Sequence, residues 1–190
     1  MSILRNMAIV AVAYVLAHGL TALLITPLQA RLLPDVTAFA SLMYLPHGVR
    51  VLSTWLMGRL SVIPLGLGAF LSEVLFTPVE VSSATDPVIL LSIAVGGVSA
   101  LLAFELMGLV GHRIYAGQNK RIHWKWLLLA GMLASVFNSL GQSLVFSGKV
   151  LPDHAIAVLA VYAVGDLVGL VATTLVLMFV FRWIRVFLAR

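Results

Sequence analysis

Ionisable side chains interrupt the long apolar stretches of this chain of 190 residues. Arg50, Glu105 and Asp166 each stand in apolar sequence, and His47 lies one helical turn before Arg50. An Arg or Asp at the centre of a membrane helix costs about 2.5–3.5 kcal/mol, so it needs a partner, water or a function. Arg50 together with Glu105 or Asp166 therefore predicts either a buried ion pair that fixes helix register or a ligand-binding pair.

Two amides add a second polar feature. Asn138 and Gln142 are four residues apart in an apolar stretch, so they share one face of a helix. They are expected to bridge neighbouring helices or to line a polar cavity. His18 is interpreted as a hydrogen-bonded structural residue, because the histidines are scattered singly and do not form the spacing of a metal site.

No catalytic pattern accompanies these groups. The chain has no cysteine, which excludes disulfides and thiol catalysis. It also has no GxSxG, HExxH or glycine-rich phosphate loop followed by lysine. An intramembrane aspartyl protease needs two aspartates at matching depth, whereas Asp166 is the only aspartate in a predicted span. We therefore predict a protein that is not an enzyme and that has no cofactor or metal.

The composition is that of an integral membrane protein. Hydrophobic residues make up 62% of the chain and charged residues 10%, with a mean hydropathy of +1.10. Soluble domains are about 45–50% apolar and about 25% charged. The lipid bilayer is thus the expected environment. No polar segment is long enough to form a nucleic-acid-binding module, so nucleic acid is not an expected partner.

The hydropathy pattern predicts one all-α transmembrane domain over residues 1–190, a polytopic bundle of six helices. A spanning helix needs about 20 mostly apolar residues. The second helix is expected to be kinked or broken at Pro46–Gly48, since proline removes a backbone donor and clashes with the preceding turn. The predicted spans are 6–26, 37–58, 60–77, 88–111, 126–146 and 155–181.

The basic residues predict the orientation. Cytoplasmic loops carry an excess of Lys and Arg. With the N-terminus inside, nine basic residues fall on the cytoplasmic side and two, Arg31 and Lys149, fall outside. Both termini are therefore expected in the cytoplasm. The nine are Arg5, Arg59, Arg113, Lys120, Arg121, Lys125, Arg182, Arg185 and Arg190.

Two short motifs resemble a known family. Leu45-Pro-His-Gly48 lies in the second predicted span, and Gly165-Asp-Leu-Val-Gly169 lies in the last. In this order they are similar to the membrane-associated sensor family of the first type (the MASE family). The resemblance implies a multi-helix input domain of bacterial inner membranes, which usually precedes a histidine kinase or a cyclic-di-nucleotide enzyme. The positions that match the family motifs are Pro46, Gly48, Gly165, Asp166 and Gly169.

The chain departs from the family in three respects. Tyr44 stands where a tryptophan is common, the usual proline after the last motif is absent, and the 190 residues include no effector domain. His47 and Arg50 are not assigned by the family pattern. If the resemblance holds, output has to pass to a separate membrane or cytoplasmic partner protein.

Three functions follow as hypotheses. The first is a non-enzymatic sensor-like or regulatory subunit of the bacterial inner membrane, which acts through a partner and has a possible small-molecule ligand. The second is the substrate-binding subunit of a small-molecule transporter of the vitamin-importer type, because broken membrane helices are where transporters bind substrate. The third is a structural subunit of a larger membrane protein complex.

Overall fold

A computed structural model describes residues 3–32, 41–78, 82–117, 124–146 and 155–188. Within these ranges the chain is helical and has no strand, which confirms the all-α prediction. The predicted helical residues 37–40 and the basic residues Lys120, Arg121, Lys149 and Arg190 lie outside them. The helices are α1 Ile3–Leu20, continued by a π-helical turn Thr21–Ile25 and by α2 Thr26–Leu32, then α3 Leu45–Met57, α4 Val62–Phe76, α5 Pro87–Leu109, α6 Trp124–Val145 and α7 Ala155–Leu188.

Five segments of the described chain are long and apolar enough to cross a membrane. Many of their large apolar side chains are exposed, as lipid-facing residues are; Leu24 on the first segment and Phe179 on the last are examples. This pattern indicates a multi-pass membrane protein. The segments are Ile3–Arg31, Leu45–Phe76, Pro87–Leu109, Trp124–Val145 and Tyr162–Phe187.

The second segment, Leu45–Phe76, is a helical hairpin. Tyr44 precedes α3 and Phe76 ends α4, yet both rings pack against the ring of His18, at centroid distances of 6.3 and 5.8 Å. One straight helix would separate these two ends by about 48 Å. The chain therefore turns back at Gly58–Ser61, where Gly58 has a φ of 60°. The two arms are about 20 and 23 Å long, whereas the hydrocarbon core is about 30 Å thick.

The structure does not support a kink inside a longer second helix. Residues 41–44 are not helical, and α3 begins at Leu45 with Pro46 in its first turn. Proline is well suited to that position, because the first N–H groups of a helix have no intrahelical acceptor. Pro46 therefore starts a helix. The chain turns back at Gly58–Ser61, which is the boundary between the predicted spans 37–58 and 60–77.

Helix α3 lies at the centre of the bundle. Val51 belongs to an apolar core that α3 forms with α5, α6 and α7, and Val49 belongs to a second core with α1 and α4. Arg50, between these two valines, is held where the two cores meet. A side chain at this position is surrounded by helices and does not reach lipid.

A disulfide test follows from the hairpin. Thr54 Oγ1 and Ser61 Oγ are 3.1 Å apart across the turn, whereas residues seven apart in a continuous helix are separated by about 10 Å. We expect a Thr54→Cys/Ser61→Cys variant to form an intramolecular disulfide under mild oxidation. The protein has no other cysteine, so a thiol assay reads this pair alone. Free thiols after oxidation of the folded protein would contradict the hairpin.

Candidate functional site

Arg50 is a buried cation that neutral groups surround. Its side chain is 5% exposed, and its guanidinium lies over the rings of Tyr14 and Tyr44, 5.6 and 5.5 Å from their centroids. Nη2 donates a hydrogen bond to the Tyr14 hydroxyl at 2.8 Å, and Nη1 donates to Asn138 Oδ1 at 3.3 Å. Nε has no hydrogen-bond partner among the described residues. The guanidinium is thus only partly satisfied.

Gly96 on α5 provides the space for this guanidinium. A Cβ added there would lie 2.5 Å from Arg50 Nη2. The small residues Ser92, Gly96 and Ala100, which recur along one face of α5, therefore serve more than helix packing: the middle one leaves room for the cation.

Arg50 faces a polar cavity of about 260 Å³ between the helices. The walls come from α1, α3, α4, α5, α6 and α7 and from the segment that precedes α3. The cavity brings four of the predicted site residues together and adds two further groups, a histidine and a carboxylate. The four are Arg50, Asn138, Gln142 and Asp166, and the two are His18 and Glu73.

The two amides of α6 make contacts with other helices and line the cavity. Asn138 accepts the bond from Arg50. Gln142 bridges to α5, where its Oε1 accepts from Ser92 Oγ at 2.8 Å and its Nε2 donates to the Ser92 carbonyl at 3.1 Å. Both amides also line the cavity, so they join helices and present polar atoms to its interior.

His47 and Asp166 form a buried pair beside the cavity. Their side chains are 0% and 1% exposed, and His47 Nδ1 lies 3.4 Å from Asp166 Oδ2. His47 Nε2 is 3.0 Å from the Gly131 carbonyl, which can only accept, so Nε2 is the protonated donor. An unprotonated Nδ1 would then face an ionised carboxylate, lone pair against lone pair. We therefore assign a proton between Nδ1 and Oδ2, which leaves the pair with no net charge.

The two motifs of the sequence analysis are in direct contact. The non-helical segment 41–44 lies against α7, where Tyr44 N donates to the Gly165 carbonyl at 3.0 Å. A Cβ on Gly165 would overlap the Ser41 carbonyl oxygen, and one on Gly169 would overlap that of Tyr44. The glycines of Gly165-Asp-Leu-Val-Gly169 are therefore required by close backbone approach, and Asp166 between them reaches His47.

Hydrogen bonds from other helices satisfy this irregular segment. Leu45 N donates to Thr21 Oγ1 at 3.3 Å, and Leu42 N donates to Gln29 Oε1 at 2.7 Å. The Leu45 carbonyl accepts from Thr173 Oγ1 at 3.1 Å. Non-helical backbone at membrane depth is tolerated only where protein or a cavity surrounds it. The start of α3 meets that condition.

Glu105 lies elsewhere, at the hairpin turn. Its carboxylate accepts from Arg59 Nε and Nη2 at 3.0 and 3.1 Å and from the Tyr115 hydroxyl at 3.1 Å. The predicted Arg50–Glu105 pair is therefore wrong. Nor do Arg50 and Asp166 form a direct ion pair in the described structure, although both line the cavity. Asp166 is paired with His47 instead.

Tyr115 reports on the Glu105 site. Burial of the ring, followed by its hydrogen bond to Glu105 and the carboxylate charge, raises the pKa of Tyr115 from 10.0 to about 12. We expect Glu105→Gln to lower this pKa toward its ordinary value, because removal of the negative charge stabilises the tyrosinate. Ultraviolet titration, with Tyr115→Phe to assign the signal, measures it. An unchanged pKa would mean that burial alone sets its value.

Tyr14 and Tyr44 were missed as site residues. Tyr14 precedes His18 by four residues on α1, and this polar aromatic pair in an otherwise apolar helix is a signal that sequence reading could have used. Tyr44 was noted only as a departure from the family motif. Both tyrosines became visible as contacts of Arg50 once the helices were packed.

Fold and site together define a multi-pass helical membrane protein with a polar cavity between its helices. A scan against protein-family models, a search of curated proteins and a search of solved structures give no match. The resemblance to the membrane-associated sensor family therefore stays a prediction.

Proposed function

We propose that the protein is a non-enzymatic, sensor-like subunit of the bacterial inner membrane that binds a small ligand in the Arg50 cavity and acts through a separate partner protein. One observation carries this proposal: Arg50 is a buried cation whose direct partners are the neutral groups of Tyr14, Tyr44 and Asn138. A buried charge without an opposite charge is costly. A ligand in the cavity that brings a negative group to the guanidinium would lower that cost.

Contacts of α3 can transmit the effect of ligand binding at Arg50 to the rest of the bundle. His47 lies one turn before Arg50 on α3 and contacts α6 through the Gly131 carbonyl and α7 through Asp166. Any displacement of α3 by a ligand therefore acts on the two helices that lead to the other end of the molecule. The basic segment 112–125 and the end of α7, with Arg182 and Arg185, are the proposed contact surfaces for the partner.

The hairpin supports the proposed orientation. The hairpin α3–α4 starts and ends on the same side of the membrane. The other four segments each cross it once, and four crossings place both ends of the chain on one side. Basic residues concentrate there, near the hairpin turn, as expected for cytoplasmic loops. The cavity then lies toward the outer face. The basic residues at this end within the described chain are Arg5, Arg59, Arg113, Lys125, Arg182 and Arg185.

A thermal-stability screen tests the proposal. The full chain, purified in mild detergent, is heated with a panel of small polar metabolites that includes anions, cations and zwitterions. We expect at least one compound to raise the melting temperature in a saturable manner. Arg50→Gln should abolish the shift and Arg50→Lys should keep part of it, whereas Arg59→Gln, which removes an exposed arginine, should leave it intact.

Affinity purification in mild detergent tests whether the protein binds a separate partner protein. Recovery of a kinase, cyclase or other signalling protein from the native membrane supports the sensor-like function. If no compound stabilises the protein and it purifies without any partner, the proposal is overturned.

A substrate-binding subunit of a transporter is the second candidate. The observation in its favour is the interrupted hairpin, because its non-helical entry at residues 41–44 lies beside the cavity, and transporters place substrate where membrane helices break. Co-purification with an ATPase pair, together with ligand uptake into proteoliposomes, would favour transport over sensing. A stable assembly without any ligand response would favour the structural-subunit hypothesis.

A further inference from the structure

The geometry points to a small zwitterion as the ligand of the Arg50 cavity, with its anionic group on Arg50 and its cationic group on Glu73. This inference rests on the proposed function, since it names the chemical class of the ligand for the same cavity. It follows from the charges that line the cavity, from the groups that lack partners and from the size of the space.

The charges around the cavity cancel before a ligand binds. Arg50 carries one positive charge and Glu73 one negative charge, and the His47–Asp166 pair, which shares a proton, adds none. With His18 counted as neutral, the net charge is zero. A ligand with a net charge would leave one charge uncompensated in a medium of low dielectric constant, which is unfavourable. A zwitterion brings both signs and keeps the total at zero.

Each of the two opposite charges lacks an ionic partner. Within the described residues, ion pairs join His47 to Asp166 and Arg59 to Glu105, and neither includes Arg50 or Glu73. Arg50 Nε also has no hydrogen-bond partner there. Glu73 accepts a hydrogen bond from the neutral Ser82 hydroxyl. The cavity therefore offers a cation and an anion, each ready for a complementary group.

Aromatic residues separate the two charges. The His18 ring stacks on Tyr14, which bonds to Arg50, and on Phe76, which is one turn from Glu73. This arrangement suits a ligand with a short apolar linker between its charged groups. The volume of about 260 Å³ is room for roughly nine water molecules, so it accommodates a small ligand of about ten non-hydrogen atoms.

Matched probes separate the contributions of the two charges. γ-Aminobutyrate carries both groups, butyrate keeps only the anion, and butylamine keeps only the cation. Glycine and β-alanine have shorter linkers between the two charged groups. Comparing their affinities with that of γ-aminobutyrate shows which charge separation fits the cavity best. Isothermal titration of the full chain in nanodiscs measures the affinities. We expect the best zwitterion to bind at least about tenfold more tightly than either single-charge analogue.

The variant Glu73→Gln adds a site-specific test. It should weaken zwitterion binding about tenfold or more, while butyrate binding stays equal or becomes tighter because a negative charge has been removed. Glu105→Gln is the matched control, since this carboxylate lies outside the cavity at the hairpin turn. It should leave all affinities unchanged. Circular dichroism and gel filtration verify that each variant is folded.

The outcomes distinguish the two proposals. If butyrate binds as tightly as the best zwitterion, or if Glu73→Gln lowers no zwitterion affinity, the zwitterion inference is overturned and an Arg50-dependent anion site remains. If neither the probes nor the metabolite panel bind, the proposed function itself fails.

Discussion

Replacing Gly165 or Gly169 by alanine is expected to lower the free energy of unfolding by about 3 kcal/mol, the upper end of the range for overpacking. The added methyl group would overlap the Ser41 carbonyl oxygen at the first position and the Tyr44 carbonyl oxygen at the second. These neighbours are backbone atoms, and the hydrogen bond from Tyr44 N to the Gly165 carbonyl holds the segment in place. The overlap is relieved only if α7 and the start of α3 move apart.

Gly66→Ala is the matched control. Gly66 also lies inside a helix, but a Cβ there meets no atom within 4 Å. Alanine favours a helix over glycine by about 1 kcal/mol, so this variant should be unchanged or more stable. Titration with sodium dodecyl sulfate in mixed micelles measures all three. Equal stability of the Gly66 and Gly165 variants would contradict the close contact between the two motifs.

Replacing Asp166 by alanine is expected to destabilise the protein by about 3 kcal/mol, the upper end of the cost of leaving a buried hydrogen-bonding group unsatisfied. His47 Nε2 is committed to the Gly131 carbonyl, so Nδ1 would lose the group it shares a proton with. Both side chains are almost completely buried, so a replacement partner for Nδ1 can come only from the adjoining cavity.

Asp166→Asn distinguishes the shared proton from simple packing. The asparagine Nδ2–H can donate to an unprotonated Nδ1, which satisfies His47 without any charge. We expect this variant to lose far less stability than Asp166→Ala in the same detergent titration. If both variants are equally unstable, the amide cannot replace the carboxyl group, and a neutral hydrogen bond between the two side chains is contradicted.

The sequence was sufficient to predict the class of fold and to single out several residues that line the candidate cavity. Composition and hydropathy predicted the helical membrane protein, and the cost of buried charge singled out Arg50 and Asp166. The shared face of Asn138 and Gln142 predicted their bridging and lining roles. Each of these inferences needs only local spacing and the physics of the bilayer.

What the sequence could not predict depends on how the helices pack. The two predicted spans, 37–58 and 60–77, already implied a turn between them, but hydropathy did not reveal that the helix of the first arm begins only at Leu45. Depth along a span could not tell which cation Glu105 meets, and Arg59 at the hairpin turn proved closer than Arg50. Tyr14 enters the site only because α1 packs beside α3.

The nitrogen chemical shift of Arg50 Nε tests the central claim most directly. Nε lacks a hydrogen-bond partner in the described structure, so a bound anionic group should move its resonance. The Arg50 signal is assigned by its loss in Arg50→Lys. We predict that the compound that stabilises the protein most shifts this signal at the concentration that saturates binding. The Nε signal of Arg59 should stay unchanged. A ligand that saturates the protein and leaves the Arg50 signal in place would contradict the assignment of this cavity as the binding site.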